Sequence, residues 1–79
     1  MIYIYKTRVC VWAIAKKIQG WELRWYFSGG FEISGHYTHP ATAADDVANS
    51  ATGFYEWDVL QHGSEIADIS NWQQVKSYP

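Results

Sequence analysis

The chain has little of what would make its fold or its chemistry obvious. Cys10 is the only cysteine, so no internal disulfide can staple the fold, a usage that suits a reducing cytoplasm. No apolar run approaches the ~20 residues a membrane helix needs. The stretch "RVCVWAIAKK" has the basic start, apolar run and Ala-Ile-Ala of a secretory signal. Its apolar part, residues 9–15, is as short as such segments get, and the expectation is that it is retained. No repeat, linker or low-complexity tract occurs, and the longest special stretch is Gly29-Gly30. No pair of cysteines and no His-Glu-His cluster stands at metal-ligand spacing, and no basic RNA-binding signature is present.

What the chain does have is rings. Of its 79 residues 48% are hydrophobic and 18% aromatic, with five Trp. That length makes one domain, residues 1–79, near the lower limit for a single core. Each buried ring removes roughly 150–250 Å² from water. All of them cannot be interior in so small a body, and exposed rings are candidates for contact. Charge is lopsided: net −2 overall, but +3 over residues 1–40 and −5 over residues 41–79. Asymmetry of this kind points to a charged partner.

Residues 7–15 read as a β-branched strand, and "KKIQG" as a polar turn. "WELRWYF" alternates Trp21, Leu23, Trp25 and Phe27 against Glu22, Arg24 and Tyr26, the period of a half-buried strand. "SGG" supplies a tight turn, and "FEISGHY" alternates again, placing Phe31, Ile33 and Tyr37 opposite Glu32, Ser34 and His36. After His39-Pro40 a helix is predicted, capped by Thr42 with Asp45 three residues on, and ended by a left-handed Gly53. Its small face is Ala44, Val47, Ala48 and Ala51. "FYEWDVL" then reads as a strand with Tyr55, Trp57 and Val59 on one side and Glu56 and Asp58 on the other. "IADI" and "NWQQVKSY" read as one or two closing strands, with "SNWQQV" a helical turn as the alternative. The sum is an α+β fold: a curved antiparallel sheet, made of a three-strand meander plus the closing strands, with one short helix on one face.

Glu56 and Asp58 on one strand face would lie roughly 7 Å apart, within the range of an inverting glycosidase pair. Such chemistry needs a cleft that a single sheet and helix rarely offer, and catalysis is not expected. His36 and His39 end a strand and flank a proline, so neither a metal nor a cofactor is expected. Cys10 sits among Val9, Val11 and Trp12, where a thiol is inert. The expected partner surface is Asp45, Asp46, Glu56 and Asp58 with the rings of Tyr55 and Trp57.

A short, cysteine-poor, acidic chain with a sheet-plus-helix plan resembles the small accessory proteins of phages and prophages, among them the anti-CRISPR inhibitors. The resemblance is of type, over the whole chain, and no motif carries it, so it assigns no residue. It implies a non-enzymatic inhibitor in the cytoplasm of a bacterial host, its carboxylates taking the place of target-DNA phosphates on a Cas nucleoprotein complex. A basic channel attracts clustered carboxylates for the same physical reason that it attracts phosphates. On this reading the chain is a monomer or weak homodimer that binds neither membrane nor free nucleic acid. The alternative is a single-stranded nucleic-acid-binding module using aromatics and Lys/Arg of the sheet.

Overall fold

In a computed structural model the structure describes residues 1–78. Five strands, β1 (Ile2–Lys6), β2 (Val11–Lys16), β3 (Trp21–Phe27), β4 (Gly30–Tyr37) and β5 (Gln73–Val75), form one sheet in the order β4-β3-β2-β1-β5. Every neighbouring pair is antiparallel. The α+β class is as the sequence predicts, and β2, β3 and β4 are the meander. Between β4 and β5 the chain crosses one face of the sheet. It carries helix α1 (Pro40–Ala48), the single turn α2 (Tyr55–Asp58) and two 3₁₀ turns, Ser64–Ala67 and Ile69–Asn71.

Strand pairing sorts the side chains. Trp12 faces Trp25 and Ile14 faces Leu23 beneath the helices, where they meet Ala43, Ala44, Val47 and Trp57 in the core. Alanines on α1 let its backbone approach a sheet whose own side chains are bulky. At the β2–β3 turn Gly20 takes φ +87, and a Cβ there would strike the Tyr37 carbonyl. Any other residue would force the turn off β4.

Several readings are corrected. Residues 2–6 form a strand that the alternation of Ile and Tyr conceals, since both kinds of residue are apolar. The strand read over residues 7–15 begins only at Val11, because Thr7 closes a turn with Cys10: its Oγ1 donates to Cys10 O at 2.7 Å and accepts from Cys10 N at 3.1 Å. Helix α1 starts at Pro40, whose missing N–H costs nothing at a first-turn position. Neither Thr42 nor Asp45 caps it, and Ala51 lies exposed beyond it, with Ala43 in the core instead. It stops at Asn49 through a Schellman motif, Ser50 N donating to Val47 O at 3.3 Å and Ala51 N to Asp46 O at 2.9 Å. Ser50, with φ 57, takes the left-handed position expected of Gly53.

Another correction concerns "FYEWDVL", a helical turn and not a strand. Local hydrogen bonds override its alternation. Thr52 Oγ1 accepts from Phe54 N at 3.1 Å, and the Asp58 carboxylate reaches back to the same loop. "IADI" likewise spans parts of two 3₁₀ turns, while "NWQQVKSY" does contain the closing strand β5.

Candidate binding surfaces

Helical spacing at α2 separates residues that a strand would have aligned. Trp57 turns inward, 2% exposed, and its Nε1 donates to Val47 O at 2.8 Å. The Asp58 carboxylate accepts from Thr52 N at 3.1 Å, Thr52 Oγ1 at 2.7 Å and Gly53 N at 2.7 Å. It holds a loop together and is not a partner for Glu56, so the paired-carboxylate arrangement does not exist. Glu56 is exposed, as is Tyr55 at 73%, with Val59 and Leu60 exposed beside them. On α1, Asp45 is exposed, whereas Asp46 is half-buried and accepts the Tyr37 hydroxyl at 2.7 Å. Burial, then Asp46, pushes the Tyr37 phenol above its ordinary range. Of the six expected contact residues, Asp45, Glu56 and Tyr55 reach solvent freely.

Charge follows the layers. Residues 38–72, which make the helical layer, contain Asp45, Asp46, Glu56, Asp58, Glu65 and Asp68 and no Lys or Arg. All six Lys and Arg lie in the sheet, its turns or the segment after β5, accompanied only by Glu22 and Glu32. The layers therefore carry −6 and +4. The asymmetry between chain halves becomes an asymmetry between the two sides of the protein.

The second side is the sheet face that no helix covers. Its central strand contributes only Val11, Ala13 and Ala15; β3 contributes Glu22, Arg24 and Tyr26, and β4 contributes Phe31, Ile33 and His36. Arg24 Nε donates to Glu22 at 2.5 Å and its Nη1 to the Tyr26 hydroxyl at 3.2 Å. The guanidinium lies 4.5 Å from the Phe31 ring centroid, and His36 Nε2 is 3.6 Å from Glu22. In the sequence Glu22, Arg24, Tyr26 and His36 read as the wet side of their strands, and Phe31 and Ile33 as sharing a side with Tyr37. The register shift opposite Leu23/Arg24 instead puts Phe31 and Ile33 on this face with His36, and Tyr37 on the other. The structure buries Glu22 to 5% exposure among the residues of this face. The only signal for this was the Glu-x-Arg-x-Tyr spacing on one strand face.

Burial pulls the Glu22 carboxyl up, but the Arg24 hydrogen bond and charge, with Lys17 and His36, outweigh it and hold the group below the ordinary carboxylate range. A depressed folded value means that Glu22 stabilises the fold at neutral pH and that this contribution is lost as pH falls through that value. Glu22→Gln is therefore expected to lower stability at neutral pH and to match the wild type in strong acid. Urea titrations of both proteins across that range check it; equal stability at neutral pH would contradict it.

The remaining candidates are quieter. Burial pushes the Cys10 thiol up to about 12, against a small opposing effect of Thr7, so it is protonated at neutral pH. His39 is the exposed residue preceding α1, and His62 stacks on Trp57 at 3.4 Å. Among the described residues no group of three or more His, Cys, Asp or Glu could hold a metal ion, and no helix is long and apolar enough to cross a membrane. Compared with protein-family models, curated proteins and solved structures, the chain matches none.

Proposed function

We propose that this protein acts by binding, without catalysis, and that its helical layer engages a basic protein surface. The observation that carries the reading is the unmixed charge of that layer: six carboxylate residues and no cation over residues 38–72. Of these, Asp45, Glu56, Glu65 and Asp68 are exposed. Tyr55, Val59 and Leu60 add exposed apolar area around Glu56. Carboxylates speed encounter with a basic partner, and rings desolvated in the contact slow its departure. The type-level resemblance makes a Cas nucleoprotein complex of a bacterial host the first partner to try, with the carboxylates standing where nucleic-acid phosphates would bind.

The test reverses Asp45 and Glu56 to lysine together. Asp58 is left alone, since its carboxylate holds a loop. The double variant should keep the wild-type thermal midpoint within a degree or two, because exposed charges contribute little to stability. It should lose at least tenfold in affinity for immobilised Cas complexes, or for the partner captured from host lysate. Equal capture by both proteins would remove the reading.

A further inference from the structure

We propose that the uncovered sheet face is a second site, which binds single-stranded nucleic acid. It is independent of the helical layer's acids and lies on the opposite side of the protein. Register puts Lys6, Val11, Tyr26 and Phe31 in one row across four strands. The chain after β5 returns to this face, where Tyr78 stands edge-on to Tyr26 with centroids 4.9 Å apart. Tyr26 in turn lies 5.1 Å from Phe31. The three rings form a continuous run, and Phe31 is 42% exposed.

Beside this run sits a fixed cation. Arg24 is held by Glu22 and Tyr26 over Phe31. A guanidinium has five N–H donors, and these two bonds leave others for a phosphate, with little side-chain freedom still to lose. At the same end of the sheet, the turn over residues 7–10 and the β3–β4 turn rise around Tyr26 and Tyr78. They enclose an open cleft of about 420 Å³ with Arg8 in its lining. That volume is within the range of small-ligand sites.

Net charge argues against nucleic acid only if the charges are evenly mixed. Here six of the eight acids lie in the other layer, while Glu22 on this face is paired with Arg24 and 5% exposed. Rings favour single strands over duplex, since paired bases hide the faces that aromatic side chains stack on. They also favour a nucleic acid over an acidic peptide, which would use the cations and leave the rings idle.

Fluorescence anisotropy tests the site with labelled 12-mers of thymidine and of uridine, and with a duplex of the same length. Both single strands should bind at micromolar protein in low salt, and more tightly than the duplex. With Lys6, Arg8 and Arg24 each neutralising one phosphate, log affinity should fall against log salt with a slope of about −2. Phe31→Ala should weaken binding by about tenfold, while circular dichroism shows the fold kept, because the ring is partly exposed. Reversal of Asp45 and Glu56 should leave oligonucleotide affinity undiminished, which separates this site from the protein-binding one. Absence of binding, tighter binding of duplex, or an unchanged Phe31→Ala affinity would overturn the proposal.

Discussion

Trp57→Ala should leave the protein largely unfolded at physiological temperature. The indole is 2% exposed, stands edge-on to Trp12 at 5.5 Å, and donates its N–H to the Val47 carbonyl at 2.8 Å. Truncating a buried Trp costs about 3–5 kcal/mol. A 79-residue domain has only about 4–12 kcal/mol in total. Trp57→Phe keeps a ring and loses one hydrogen bond to a carbonyl that still accepts from Ser50 N, and should cost less, roughly 0.5–1.5 kcal/mol. Thermal denaturation followed by circular dichroism ranks the three proteins. If alanine lowered the midpoint by only a few degrees, Trp57 would not be the core residue that its contacts make it.

Asp58→Ala should destabilise by about 2–3 kcal/mol, from the loss of charge-assisted hydrogen bonds to a half-buried loop. Thr52, the main donor, is 6% exposed, so water replaces the carboxylate poorly. Asp58→Asn keeps one acceptor oxygen and should fall between alanine and wild type. Glu56→Ala, two positions away and exposed, should be indistinguishable from wild type in the same urea titration. An equal loss from Glu56→Ala and Asp58→Ala would mean that the Asp58 bonds contribute nothing. Two carboxylates that look equivalent in the sequence thus have separate duties.

Strand β3 was legible because Trp21, Leu23 and Trp25 alternate there with charged residues and Tyr26, and that contrast is what a period-two reading detects. β4 was legible as a strand, but the register shift within it, which moves Tyr37 away from Phe31 and Ile33, leaves no trace in an alternation. β1 was not legible: Ile2, Tyr3, Ile4 and Tyr5 are apolar on both faces, so the pattern has no contrast. At α2 the alternation of Tyr55, Trp57 and Val59 was real, but hydrogen bonds among Thr52, Gly53, Phe54 and Asp58 decide the backbone, and side-chain periodicity cannot register them. The acidic surface was legible as composition. Its purity was not, because it depends on the whole stretch from β4 to β5 crossing one face. The ring run on the other face depends on Tyr78 folding back to Tyr26, a contact between residues far apart in the chain.

The position of β5 also bears on how the protein forms. β2, β3 and β4 are joined by short turns and can pair as soon as they exist, whereas β5 must find β1 across about seventy intervening residues. Only three residue pairs hold that ladder. Closing a long loop has an entropic cost that so short a ladder repays last. On a ribosome the meander can therefore assemble while residues 73–75 are still unmade, leaving the far side of β1 open until synthesis has passed them. During that interval β1, paired only with β2, is an edge strand with alternating Ile and Tyr, and it is the segment most exposed to wrong partners.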